Sequence, residues 1–448
     1  MRTFRAAERA RSRTIALATV AGALALTAGP AMAADVSKID WDKIVPTKVV
    51  LFYPGQSSYE WLRSDAHKGA AKETQRGDSC VSCHDDAKEE QIQGAKILKG
   101  GHPLEPIALS GKNGHVDLSV QAAFDDKNAY IRARWTTNNK TRPGVDYPVY
   151  RFDGKEWKSY GAQRLQPDAV AGKTPAVYED RLSLMLDDGK VPGFANQGCW
   201  LTCHDGQRTM LREATRAEVA ANPLLSAIKK ADVRKYLPVS RADPNDWKTG
   251  KSVEEIAKAK AGGEFLDLIQ WRAHRTNVVG GVDDGYVLEW RNFDSGKNHF
   301  ASNMDDATKT PKFMFDAAKQ GGKSQTDADF LKKDAILVKG GNAVPFDANA
   351  GWKAGDMLPQ YVLSAADAGG SAADNKGIGV WKDGMWTVVI VRPLALANDD
   401  DKGLRAGGVY NVGFAVHDDH MTARGHHVSY VKTLGLGAKA DIEAIKLP

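Results

Sequence analysis

Four cysteines stand in this 448-residue chain, and all four fall into two clusters that end in histidine. The first is Cys80-Val81-Ser82-Cys83-His84; the second is Cys199-Trp200-Leu201-Thr202-Cys203-His204. The first spacing is the signature of c-type haem attachment. Two thiols held this way can add across the two vinyl groups on one porphyrin edge. The adjacent imidazole then lies under the iron as its proximal ligand. The second cluster has one more residue between its cysteines, and a bulged loop of that kind still presents both sulfurs. The expectation is two covalent haem c groups, held by Cys80, Cys83, Cys199 and Cys203, with His84 and His204 as proximal ligands.

Three blander readings compete. Structural cystines are common in exported proteins, but a cystine needs no following histidine, and here both pairs have one. Zinc sites also combine CxxC with His. A redox dithiol has its usual setting in a βαβ pattern, which neither cluster has around it. With every cysteine given to haem, no disulfide braces the fold, and stability has to come from core burial.

The distal ligand decides whether each iron is closed or open to small molecules. For the first haem His67 is favoured. It sits on an expected helix from about Ser58 to Glu73 and is followed by small residues that let a porphyrin approach; His102 is the second choice. For the second haem the candidates are His427, His426 and His274. The first two are adjacent on an expected strand, so period two sends them to opposite faces. Met210 and lysines remain open as alternatives. His417 and His420 flank two aspartates in what reads as a solvated loop.

Arg2, Arg5, Arg9, Arg11 and Arg13, an apolar run from about Thr14 to Ala28, and Ala31-Met32-Ala33 read as a secretory signal peptide, residues 1–33. The apolar run is shorter than the ~20 residues a spanning helix needs. No adjacent Arg pair is present. The whole chain carries a formal +5; without this leader about +1 remains, which gives nucleic-acid binding no electrostatic support. The expected location is the periplasm, with no membrane span in the mature chain.

Around these motifs the elements are mostly strands. Residues 34–103 read as a small N-terminal haem c segment, with strand 49–53 and a Gly/Pro-rich junction from Gly100 to Pro106. Residues 104–448 read as a β-sandwich haem-binding domain with helical insertions, mainly β in class. Val116–Phe124 and Ala129–Thr136 form a hairpin about an Asp/Asn turn. Further strands are expected at 181–186, 286–291, 380–391 around Asp383-Gly384, 409–417 and 426–431. Helical insertions are expected at 215–237 and 252–261. Residues 365–379 read as a flexible loop.

Several of these segments resemble the haem-binding subunit of the ethylbenzene dehydrogenase and dimethylsulfide dehydrogenase type, over about Pro103 to Leu447. The resemblance rests on Val120-Gln-Ala-Ala-Phe-Asp125, Tyr130-Ile-Arg-Ala-Arg-Trp135, Tyr178-Glu-Asp-Arg-Leu182, Gln270-Trp-Arg-Ala-His-Arg275, Trp381-Lys-Asp-Gly-Met-Trp386, Val391-Arg-Pro-Leu394 and His427-Val-Ser429. It implies a β-sandwich with haem at one end, and a subunit that relays electrons from a molybdenum enzyme. The better-known members hold one haem b through Met and Lys. Here Cys199, Cys203 and His204 depart from that pattern, so those axial ligands do not carry over. The first haem segment is extra, which makes the chain similar to a c-type, two-haem branch.

The expected function is an electron-relaying dihaem cytochrome rather than an enzyme. Its expected partners are redox proteins, such as a quinol-linked membrane cytochrome or a molybdenum oxidoreductase. The alternative is a haem peroxidase or small-oxide reductase with one open iron, for which His274 and Arg275 could supply acid–base groups.

Overall fold

A computed structural model describes residues 36–53, 57–84, 113–163, 167–204, 214–223, 235–396, 398–419 and 425–448, with residues 99 and 233. The expected signal peptide (residues 1–33), the expected 103/104 boundary, His102, Met210 and His420 lie outside the described residues.

The chain is mainly β. Thirteen strands form one sheet. In chain order they are β1 (Thr47–Phe52), β2 (His115–Phe124), β3 (Asn128–Thr136), β4 (Arg181–Asp187), β5 (Leu266–Arg272), β6 (Gly285–Val287), β7 (Arg291–Phe293), β8 (Lys376–Lys382), β9 (Met385–Pro393), β10 (Val409–His417), β11 (His427–Ser429), β12 (Lys432–Leu436) and β13 (Ile442–Lys446). The spatial order is β8-β9-β3-β2-β1-β11-β10-β4-β5-β6-β7. β12 and β13 provide a second link between β10 and β2.

Period-two alternation explains why this sheet folds face to face on itself. Leu118, Val120 and Ala122 of β2, Ile131 and Trp135 of β3, and Val388 and Ile390 of β9 point to one interior. Leu182 and Leu184 of β4, Ile269 and Trp271 of β5, and Val412 and Phe414 of β10 meet them there. Trp271 packs edge-on against Trp386, their ring centres 4.9 Å apart. Each such ring removes ~200 Å² from water, worth about 5 kcal/mol before entropy. Gly379 of β8 makes room: a Cβ there would lie 2.2 Å from the Trp271 ring.

β4 and β5 are buried at every position. Their outer face is covered too. Met185, Leu266 and Leu268 pack there with Phe194, Cys199, Leu201 and Leu237. The second cysteine motif therefore rides on the back of the sandwich and is part of a second core. The strand expected at 49–53 falls on β1, which starts two residues earlier and lies between β2 and β11 in the large sheet. The turn between β8 and β9 is Asp383-Gly384, with Asp383 at φ 51 and Gly384 at φ 78, which an Asp-Gly pair tolerates.

Three expectations need correction. The helix at 58–73 is two short helices, Tyr59–Leu62 and Ala71–Arg76, interrupted at Gly69 (φ 79). Strand 286–291 is broken at Leu288-Glu289-Trp290 into β6 and β7. The loop at 365–379 ends earlier than expected, because Lys376 to Gly379 already pair with β9. The insertion at 252–261 is helix Val253–Gly262, started by a reciprocal Ser252–Glu255 capping box.

Candidate haem-binding site

The first motif begins where helix Ala71–Arg76 stops at Gly77, which adopts the left-handed conformation (φ 85). Cys80–Ser82 make one 3-10 turn, and the backbone N–H groups of Cys83 and His84 both donate to the Cys80 carbonyl. The turn leaves Cys83 exposed and Cys80 half-buried. His67 lies in the loop between the two short helices. Its Nδ1 bonds the Leu62 carbonyl at 2.9 Å, which turns Nε2 away from the backbone. Its ring rests against Trp61 at 5.3 Å.

The His67 and His84 rings are parallel within 4°, with centres 6.3 Å apart. Imidazole binds a metal at ~2.0 Å, so two rings in line on opposite sides of one metal have centres ~6 Å apart. The separation of the pair matches that span, so His67 and His84 are the residues that would hold one iron together. The Leu62 carbonyl would play the usual orienting part at the second ring nitrogen.

The second motif is built differently. Helix Phe194–Gln197 runs into a 3-10 segment, Gly198–Thr202, packed on β10. Gly413 of β10 is required there, since a Cβ would meet the Cys199 Sγ at 2.7 Å. Cys199 and Cys203 are both buried. Burial pushes the Cys199 thiol up to about 12, against the pull of Lys235, and the Cys80 thiol up to about 11. A reactive dithiol depresses the pKa of its attacking thiol, and neither Cys80 nor Cys199 is depressed.

His204 is fully buried. Its Nδ1 is 2.8 Å from a Glu60 carboxylate oxygen and its Nε2 is 3.0 Å from the Tyr236 carbonyl. The Tyr236 ring stacks on it at 3.4 Å and 9°. Burial lowers the His204 pKa, with Glu60 opposing, so the ring tends to be neutral and can donate to only one of these two acceptors. With the proton on Nδ1 toward Glu60, the Nε2 lone pair faces the Tyr236 carbonyl oxygen. Coordination to a metal would require that contact to be given up. A carboxylate on one nitrogen and a metal on the other is the common arrangement for a ligating histidine, and the donor set fits it.

The two motifs touch. The Tyr59 N–H donates to the Cys203 carbonyl, beside Glu60 on His204. Asn196 Nδ2 donates to the Gly77 carbonyl and Gln197 Nε2 to the Thr74 carbonyl, both at 3.0 Å. Arg63 lies 3.3 Å over the Tyr59 ring and also donates to Gln197. Tyr430 stands between the motifs, 6.2 Å from the His84 ring and 5.3 Å from the ring of Trp200.

The other histidine candidates lie in other surroundings. His274 is buried, bonds the Val145 carbonyl through Nδ1 and faces Tyr147. His426 faces His417 at 4.7 Å. His427 faces Tyr53 at 5.5 Å, its Nε2 2.9 Å from the Asn113 carbonyl. The ring neighbours of His204 are instead Tyr59 and Tyr236. Glu60, Tyr236 and Tyr430 were not singled out in the sequence. No motif marks them; they reach the site through tertiary contacts.

Among the described residues no helix is long and apolar enough to cross a membrane. The ethylbenzene dehydrogenase family model matches residues 38–429. Cytochrome c-552 of Stutzerimonas stutzeri is 26% identical over 435 residues, 97% of this chain and 99% of that protein. Cytochrome c-551 of Rhodocyclus tenuis is 27% identical over 172 residues, 38% of this chain and 57% of that protein.

Proposed function

The chain belongs to the ethylbenzene dehydrogenase family, and from that premise we propose that it is a periplasmic dihaem cytochrome c that relays electrons between redox proteins. The names of the two relatives support a haem c reading. The observation that carries it is the parallel His67–His84 pair at 6.3 Å, joined through Tyr430 to the second motif.

When bound, haem supplies a one-electron ferric/ferrous couple, and the protein supplies ligation, burial and orientation. Cys80, Cys83, Cys199 and Cys203 would hold the two groups covalently, and His84 and His204 would bind their irons. His67 would occupy the remaining site at the first iron and keep small ligands from it. Glu60 holds the proton on Nδ1 of His204. Tyr430 and Trp200 fill the space between the motifs with aromatic rings instead of water. Segment 34–103 contributes the first motif and 104–448 the second, with β1 and Glu60 of the first segment built into the sheet and the site of the second. The donor or acceptor is a quinol-linked membrane cytochrome or a molybdenum oxidoreductase.

The spectrum of the purified oxidised and reduced protein tests this. A relay with both axial positions filled at the first iron gives a low-spin signal there that carbon monoxide and cyanide leave unchanged. A high-spin first haem that binds either ligand would refute the relay in favour of an enzyme with an open iron.

A further inference from the structure

At the end of the sandwich where β5 begins and β9 finishes, six aspartates gather from separate segments. They are Asp267, Asp284, Asp294, Asp374, Asp400 and Asp401. Two basic groups accompany them. Arg392 reaches across the interior to Asp267, and lies 3.5 Å from Asp284 and 3.3 Å from Asp401. Lys402 is drawn off to Asp188 and the Gly263 carbonyl. Arg392 therefore balances the group formed by Asp267, Asp284 and Asp401. A neighbouring group, Asp294, Asp400 and Asp401, meets Arg392 only through Asp401 among the ion pairs of the described residues.

Asp294 is the residue that the fold leaves unexplained. Its side chain is 6% exposed, and neither carboxylate oxygen has a hydrogen-bond partner among the described residues. A buried carboxylate without partners is costly, and burying one is tolerated when it is paired or binds a metal. Ligand oxygens of Asp294, Asp400 and Asp401 all lie within 4.8 Å of one another. Oxygens around one Ca²⁺ at ~2.4 Å lie at most ~5 Å apart.

We propose that Asp294, Asp400 and Asp401 bind one Ca²⁺ ion. The donors are all oxygen, which selects a hard cation. They come from irregular loops, which suits the flexible coordination of Ca²⁺ better than the strict octahedron of Mg²⁺. Asp400 is already oriented by Ser295, whose N–H and hydroxyl donate to one oxygen, and by Ser371, whose hydroxyl donates to the other. Asp401 is held by Ser371 and Asn398. The ion would tie the segment after β7 to the loop between β9 and β10. All four cysteines lie in the two motifs, so no disulfide can do so.

The test uses the full-length haem-loaded protein, stripped with EGTA and titrated with Ca²⁺ by calorimetry and thermal unfolding. Ca²⁺ is expected to bind one per chain and raise the thermal midpoint. Asp294→Asn, nearly isosteric, should weaken binding at least ~10-fold and abolish the midpoint shift, while the exposed control Asp153→Asn keeps both. Tb³⁺ luminescence displaced by Ca²⁺ gives a readout independent of stability. No heat, no shift and no Tb³⁺ signal, with Asp294→Asn simply more stable through relieved repulsion, would overturn the site.

Discussion

The two cysteine motifs share a chemistry and differ in almost everything around it. The first is a short turn at the surface, its second thiol exposed, with His84 facing a parallel His67 only 17 residues upstream. The second is embedded between a sheet and a loop, its thiols and His204 buried, with His204 held by residues 144 and 32 positions away. The first motif is a local turn outside the two cores, tied to the second by the Asn196–Gly77 and Gln197–Thr74 hydrogen bonds. The second is part of a core. On the proposed reading, the same covalent chemistry would sit at the surface in one place and inside the packing in another.

The largest effect that separates them is removal of the thiols. Cys199→Ser with Cys203→Ser places one hydroxyl among Phe194, Leu201 and Leu268 and one beside Lys235 and the carbonyl of residue 199, and removes the group they hold; an unpaired buried hydroxyl costs about 1–3 kcal/mol. The thermal midpoint should fall steeply. Cys80→Ser with Cys83→Ser should leave the unfolding of the sandwich within ~1 kcal/mol of the parent. Equal losses would erase the distinction between the sites.

Glu60→Gln comes next. It removes a charged acceptor from a buried ring and should destabilise by about 1–3 kcal/mol. Weaker donation from His204 should raise the reduction potential of the second haem and leave the first unchanged in a redox titration. A shift in both would mean that the motifs are more tightly coupled than proposed. Tyr430→Leu follows, at about 1 kcal/mol for the lost ring contacts, with slower electron exchange between the haems after flash reduction. An unchanged rate would remove Tyr430 from the path.

The smallest effect on stability belongs to His67→Gln. The residue is half-buried in a surface loop, so thermal unfolding should move by no more than ~0.5 kcal/mol. Its spectroscopic effect should be large: the first haem becomes high-spin and binds carbon monoxide, while the second is untouched. A low-spin first haem in this variant would assign its distal position to another residue.

The same contrast explains what could be read in the sequence. Cysteine spacing and a histidine next in line are local, so both motifs stood out. His67 lies close enough in the chain to be considered beside His84. The strands of the inner layers, such as 116–124 and 129–136, announced themselves by alternation. β4 and β5 hid their second covered face, because Phe194, Cys199, Leu201 and Leu237, which cover it, lie in short helical and irregular segments between the two strands and carry no alternation. The helix at 58–73 misled because the first helix already stops at Leu62, and Ser64-Asp65 and Gly69 turn the backbone between Arg63 and Ala70 before the second helix begins. Glu60, Tyr236 and Tyr430 carry no pattern; each matters only once β1, β11 and the loop before Pro238 are assembled. The family resemblance rested on sandwich segments, and the family match from residue 38 to 429 also takes in the first motif.

Intact mass of the purified mature chain after acid–acetone extraction tests the central claim most directly. The account predicts the polypeptide plus two haem groups, falling to one in each double-serine variant. A mass with a single haem, or with none, would contradict it.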